Sequence, residues 1–310
     1  MERSKIISII SPLVLVASVY GVVYASTHFL EPKPVATPSI EPSTPRETAE
    51  GLHRNVFDGI VLSAKSAAVV DLRDGALIFG HNEKAQLPLA SLVKLMTLAT
   101  FPSDQEESTI TIVENSLAQE GNSGLSLGER WDPKNLMALT LLSSSNDGAH
   151  ALAKKGESEE GNFTLRMNEK AKELSLEQTY FLNPTGLDQG LELGGAYGSA
   201  LDMVKLMKEV LIMRPKILEA TRYASIAIPR ERNTDIVVRN TNAAVESLPG
   251  IIASKTGFTD AAGGNLVVVI EVGPGRPVGI AVLGASLEGR FSDVESLAWA
   301  LLKYVGEEGK

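Results

Sequence analysis

Apolar and polar residues alternate with different periods in different parts of this chain. From residue 6 to residue 30 there is no Asp, Glu, Lys or Arg, and most positions are Ile, Val, Leu, Ala or Tyr. As a helix this run would reach about 36 Å at 1.5 Å per residue, enough for a hydrocarbon core of about 30 Å. Arg3 and Lys5 precede it, which favours a cytoplasmic N-terminus with the remainder of the chain outside. The alternative is a cleaved signal segment, since Val23-Tyr24-Ala25 offers a small-residue processing site. Pro32, Pro34, Pro38, Pro42 and Pro45 then interrupt a stretch of Thr, Ser and Glu, a spacing that forbids a continuous helix and suits an extended tether.

Beyond this leader the pattern becomes that of a folded domain. Apolar runs at 66–72 and 76–79 flank Arg73-Asp74-Gly75 and predict a hairpin. Near Ala90 the pattern turns helical and runs to about Phe101, where Pro102 marks a stop. Asp132-Pro133 opens a helix with an apolar face of Leu136, Met137, Leu139 and Leu142. Residues 146–155, 162–174 and 201–213 also read as helices. The last third changes period: 226–228, 236–239, 251–255, 266–272 and 278–283 read as strands, and 290–304 closes the chain as a helix. Strands near both ends of the domain with helices between them imply one sheet built from terminal segments and covered by the helical middle. The expected organisation is an anchor or signal segment at 1–30, a Pro-rich linker at 31–51, a folded domain at 52–305 and a short tail at 306–310.

Composition narrows the chemistry. The chain has 310 residues and no cysteine, which excludes disulfides, thiolate nucleophiles and Cys-based metal sites. Its four histidines are scattered and form no HExxH pattern, so no metal is implied. A net charge of -9 with no basic stripe argues against nucleic acid as a partner. Hydrophobic content is 44% with only 5% aromatic, so the core is expected to be aliphatic.

Three short words carry the candidate chemistry: Ser91-Leu92-Val93-Lys94, Ser144-Ser145-Asn146 and Lys255-Thr256-Gly257. Ser and Lys three apart on a helix share one face. A serine hydroxyl needs a base, and a lysine serves as one only when burial or nearby positive charge eases its deprotonation. Leu89, Leu92, Val93, Leu95 and Met96 surround Lys94 in sequence, and Lys255 could supply the second charge. The middle word reads either as a helix cap or as a functional junction in which Ser144 points toward Lys94 for proton transfer and Asn146 orients the lysine or a substrate amide. In the third word, Lys255 and Thr256 could hold a carboxylate, and Gly257 would let a substrate backbone approach a strand edge. Each word alone is weak; the three together, in order, point to serine acyl transfer. Backbone N–H groups of Ser91 and Phe258 are the expected oxyanion hole.

These residues, with 89–97, 141–147, Phe181-Leu182-Asn183-Pro184-Thr185-Gly186-Leu187, Asn240-Thr241-Asn242 and 254–259, make the chain resemble the serine D-alanyl-D-alanine carboxypeptidases, the low-mass penicillin-binding proteins related to serine β-lactamases. The resemblance implies an α/β (α+β) fold: an antiparallel sheet flanked by helices, with a mainly helical subdomain. It implies that Ser91 attacks the bond between the two terminal D-alanines of a peptidoglycan stem peptide, that Lys94 is the base, and that Ser144 relays protons. Lys255 and Thr256 would hold the free carboxylate, no metal or organic cofactor is implied, and β-lactams would acylate Ser91. Tyr197-Gly198-Ser199-Ala200 departs from the usual Ser-Thr-Ala, Gly194-Gly195 nearby would alter a loop beside the cleft, and Ala253-Ser254 stands where a Gly is common, which leaves substrate preference open. The alternatives are an endopeptidase acting on crosslinks, a β-lactamase (for which no Glu-x-x-x-Asn word is found between Asn146 and Lys255), and a non-catalytic peptidoglycan-binding envelope protein.

Overall fold

The computed structural model describes residues 56–308 other than 118–120, 122–123, 158–161, 191–192 and 232–233. The expected anchor and tether lie outside the described residues. In chain order the elements are β1 (Ser66–Asp71), β2 (Leu77–His81), β3 (Leu87–Pro88), α1 (Val93–Thr100), β4 (Ile110–Thr111), β5 (Arg130–Trp131), α2 (Pro133–Leu142), α3 (Asn146–Gly156), α4 (Phe163–Glu173), β6 (Tyr180–Phe181), β7 (Ala196–Gly198), α5 (Ala200–Met213), α6 (Pro215–Glu219), β8 (Ser225–Pro229), β9 (Asp235–Arg239), β10 (Ile251–Thr259), β11 (Gly263–Glu271), β12 (Pro277–Ala285) and α7 (Gly289–Glu308).

The main sheet has the order β10-β11-β12-β1-β2, and every neighbouring pair is antiparallel. Strands from the start and the end of the domain therefore meet at its centre, β1 against β12. The central strands are buried on both faces, and their side chains sort by the two-residue period. Ala67 and Val69, Leu266, Val268 and Ile270, and Val278, Ile280 and Val282 pack under α7 with Val294, Leu297, Ala298 and Leu301. The alternate residues Ala68 and Val70, Val267 and Val269, and Ala281 and Leu283 join the helical side with α1 and α5. Burial on both faces explains why these strands read as nearly unbroken apolar runs. Among the described residues no helix is long and apolar enough to cross a membrane.

Helix α1 is the axle of the helical side. All eight of its residues are buried, including Lys94, and α2, α3, α4 and α5 pack around it. Its last carbonyls are held by Arg214, whose Nε donates to Leu98 O at 3.0 Å and whose Nη2 donates to Phe101 O at 2.7 Å. A cation at a helix C-terminus satisfies orphan carbonyls and suits the dipole. Helix α2 begins as its sequence dictates, with Pro133 in the first turn and Asp132 accepting from Lys134 N and Asn135 N.

Two sequence expectations change. Strand β10 does not end at Lys255 but continues to Thr259, pairing Gly257 with Asn265 and Thr259 with Gly263. Gly257 and the polar Thr259 break the apolar pattern without breaking the ladder. The three-stranded β3-β7-β6 sheet was not expected at all, because strands of two or three residues carry no period.

Candidate active site

The site lies where the edge strand β10 faces the N-terminal turn of α1. Ser91 sits in a short 3-10 turn, Ala90–Leu92, that runs directly into α1. Lys94 is one turn further on. Its Nζ lies 2.7 Å from Ser91 Oγ and donates to Asn146 Oδ1 at 2.7 Å and to Thr185 O at 2.7 Å. Among the described residues these are its hydrogen-bond partners, and none is a carboxylate. Lys94 is fully buried. Desolvation, and after it the charge of Lys255, hold its pKa well below the ordinary lysine value.

The middle word does two jobs at once. Ser145 caps α3, its Oγ accepting from Gly148 N at 2.8 Å. That cap aims Asn146 at Lys94. Ser144 has φ +60°, a left-handed conformation that costs a non-glycine residue about 1–2 kcal/mol. Its Oγ accepts from Lys255 Nζ at 2.9 Å. Its described partner is therefore Lys255, whereas the sequence reading pointed Ser144 toward Lys94.

Lys255 is also fully buried, and its Nζ donates to Thr256 O at 2.7 Å. Burial, then the nearby charge of Arg290, lowers its pKa from 10.5 to about 7. Thr256 is 3% exposed, and its Oγ1 lies 2.6 Å from Thr241 Oγ1. Gly257 carries its carbonyl to Arg290, whose Nη1 donates at 2.8 Å. A Cβ on Gly257 would stand 2.9 Å from Leu89 O and 3.2 Å from Ser91 N, so the glycine is what lets β10 reach the nucleophile's amide. Phe258 follows, 44% exposed. The eight residues singled out in the sequence thus lie on the nucleophile turn and α1, the α2–α3 junction and β10.

Three contributors were missed. The first is the carbonyl of Thr185, a backbone atom with no side-chain signal. Its loop is built by Asn183, whose Oδ1 accepts from Thr185 N (3.1 Å), Thr185 Oγ1 (3.0 Å) and Gly186 N (2.7 Å), while Nδ2 donates to Leu187 O (2.9 Å). Thr97 Oγ1 on α1 donates to Pro184 O at 2.6 Å and docks the loop on the helix. Gly186 lies against the nucleophile turn: a Cβ there would be 2.0 Å from Ala90 O. Ala90 itself has φ +48°. The loop's far end is tied to β10, since Thr259 Oγ1 donates to Asp188 Oδ1 at 2.9 Å. The departure at Gly194-Gly195 packs here too, with Gly195 directly over Leu187 O and Asn183. The second missed group is Arg290, which reads from sequence as an ordinary first-turn residue of α7. The third is Thr241, in a word noted as a landmark but given no role.

Chemically, the arrangement offers a hydroxyl beside a buried amine of lowered basicity, a second amine–hydroxyl pair next to it, and a cationic strand edge. That is the equipment for acyl transfer to serine.

A sequence profile described as D-alanyl-D-alanine carboxypeptidase matches residues 55–286. The chain belongs to that family. It is 32% identical to D-alanyl-D-alanine carboxypeptidase DacF of Bacillus subtilis over 72% of this chain, and spans 58% of that relative's length. It is 30% identical to D-alanyl-D-alanine endopeptidase of Pseudomonas aeruginosa, covering 72% of each chain. Among solved structures, penicillin-binding protein D2 of Listeria monocytogenes in its ampicillin-bound form superposes with a TM-score of 0.67 at 27% identity, covering 78% of this chain and 98% of that one. The family fold, an antiparallel sheet flanked by helices, is the fold described above.

Proposed function

We propose that this family member is a serine D-Ala-D-Ala carboxypeptidase that releases the terminal D-alanine of peptidoglycan stem peptides through an acyl-enzyme. The observation that carries the reading is the contact of the buried Lys94 Nζ with Ser91 Oγ at 2.7 Å. A neutral amine has two N–H groups and one lone pair. Asn146 Oδ1 and Thr185 O claim the two N–H groups, which leaves the lone pair for Ser91 Oγ at 2.7 Å. Burial and the Lys255 charge favour that neutral form. Lys94 then takes the Ser91 proton as Oγ attacks the penultimate D-Ala carbonyl. The developing oxyanion is received by the N–H groups of Ser91 and Phe258. Ser144, hydrogen-bonded to Lys255, hands its proton to the leaving amine and takes up the one held by Lys94, so Lys94 is neutral again as free D-alanine departs. Lys255 and Thr256 hold the departing residue's carboxylate. Lys94 then takes a proton from water as the water oxygen attacks the Ser91 ester, and returns it to Ser91 Oγ as the acyl group leaves, which restores the site.

β-Lactams acylate Ser91 on the same geometry; the ampicillin-bound Listeria relative supports this reading. Cleavage of crosslinks is the second reading, supported by the relative named an endopeptidase. The apolar run at 6–30 supports an exported catalytic domain, tethered to the bacterial cell membrane or secreted after cleavage.

Mass analysis of a purified stem pentapeptide and of a crosslinked dimer after incubation tests the proposal. Loss of one terminal alanine from the pentapeptide is expected. Cleaved crosslinks with an unchanged pentapeptide would replace it with the second reading, and two unchanged substrates would overturn both.

A further inference from the structure

Thr241 stands two residues past the end of β9 in a backbone fixed from several sides. Asn240 Nδ2 donates to Thr221 O at 2.8 Å and to Tyr223 O at 3.0 Å. Asn242, 1% exposed, accepts from Ala244 N at 3.0 Å. Thr241 N donates to Leu142 O at 3.0 Å, at the end of α2 and two residues before Ser144. Its hydroxyl is 2.6 Å from that of Thr256.

Each threonine hydroxyl has one proton to give. Across this pair either one can be the donor. A carboxylate in the cleft only accepts, so Thr256 can donate to it only by giving up donation to Thr241. Thr241 must then be the donor, and Thr256 keeps its own oxygen satisfied while its proton points at the ligand. We infer that Thr241 is a positioning residue that donates to Thr256 Oγ1 and thereby commits the Thr256 proton to the terminal carboxylate of the substrate. The two O–H groups then run head to tail into an anion, an arrangement in which each bond polarises the next. The rigid Asn240–Asn242 backbone keeps the donor in place before substrate arrives.

This rests on the carboxypeptidase reading, and the experiment separates the two. Thr241→Val, Thr241→Ser, Thr256→Val and the Thr241→Val/Thr256→Val double variant are compared with wild type. The substrates are a D-Ala-D-Ala peptide with a free carboxylate and the same peptide as its C-terminal carboxamide; labelling of Ser91 by a fluorescent penicillin is followed in parallel. A charge-assisted hydrogen bond contributes about 1.5–3 kcal/mol, on the order of 10-fold or more in affinity. Because Thr241 acts at one remove, Thr241→Val is expected to raise KM for the carboxylate peptide about 5–10-fold with kcat within about twofold. Preference for carboxylate over carboxamide falls by the same factor, Thr241→Ser restores it, and Thr241→Val adds no further loss to Thr256→Val. Equal losses on both substrates, failure of Ser to rescue, or additive losses in the double variant would overturn the inference. A wild-type protein that takes up penicillin at Ser91 but cleaves neither peptide would overturn the carboxypeptidase reading and the inference with it. Intact cleavage with an unchanged carboxylate preference in Thr241→Val would overturn the inference alone.

Discussion

Replacing Gly186 by alanine is the sharpest perturbation of the site that leaves every candidate catalytic residue unsubstituted. The added Cβ would lie 2.0 Å from Ala90 O, 2.5 Å from Ala90 C and 3.1 Å from Ser91 N. Raising the closest of these to an ordinary 3.4 Å contact takes about 1.4 Å of relative movement between the Thr185–Gly186 loop and the nucleophile turn. Gly186 also has φ +84°, which costs alanine about 1–2 kcal/mol. The loop is fixed by four hydrogen bonds to Asn183 and the turn runs into a fully buried helix, so neither side yields freely. The movement pulls the Thr185 carbonyl from Lys94 or displaces Ser91. A misplacement of about 1 Å at a reacting centre costs on the order of 100-fold in rate.

The expected result is therefore a fall in penicillin acylation of about 100-fold, with a lower melting temperature by about 2–4 °C per kcal/mol of strain. Stopped-flow acylation with a fluorescent penicillin measures the first and a thermal melt the second. Gly306→Ala is the control. Its Cβ meets nothing within 4 Å at an exposed position of α7, so it should acylate normally and gain stability of up to about 1 kcal/mol. Gly257→Ala, whose closest approach is 2.9 Å, should lose less than Gly186→Ala. A folded Gly186→Ala protein that acylates at the wild-type rate would refute the claim that this loop sets the position of Ser91 and Lys94.

Other expectations follow from the same geometry. Asn183→Ala strands the donors of Thr185 and Gly186 and should destabilise the fold by about 2–3 kcal/mol in a urea titration, with slower acylation, whereas Asn183→Asp keeps the acceptor and should lose less. Lys255→Gln removes the positive charge that helps depress the Lys94 pKa, so the ascending limb of the acylation pH profile should move toward alkaline pH; an unmoved limb would mean that burial acts alone. The folded pKa of Lys255 is about 7 against 10.5 in the unfolded chain, so the unfolded state binds more protons between those values. Its burial therefore destabilises the protein fully below about pH 7, and that cost is relieved as pH rises toward 10.5. Urea midpoints of Lys255→Met should exceed those of wild type at pH 7, with the difference shrinking by pH 10.

Much of this architecture was legible in the residues, for physical reasons that also mark where legibility stops. The helix with Lys94 and the strands 266–272 and 278–283 are long segments with strong apolar patterns, and tertiary packing agrees with the local pattern. The word Ser144-Ser145-Asn146 looked like a cap or a functional junction because it is both: Ser145 caps so that Asn146 and Ser144 can reach inward. Strand β10 ran on past Lys255 because ladder pairing tolerates Gly257 where an apolar pattern does not. The Thr185 carbonyl was invisible because it is backbone, placed by the hydrogen bonds of Asn183 and the missing side chain of Gly186. Arg290 and Thr241 were missed because their roles arise from folding distant segments against β10, which no local spacing reports.

The proposed chemistry requires that Ser91, activated by a neutral Lys94 and faced by Ser144, Lys255 and Thr256, form a covalent acyl-enzyme. Intact-protein mass spectrometry after brief exposure to benzylpenicillin, followed by peptide mapping, tests it most directly. One penicillin equivalent per chain is expected, carried on Ser91 and absent from Ser91→Ala. An unmodified protein, or an adduct on Ser144 or any other residue, would contradict it.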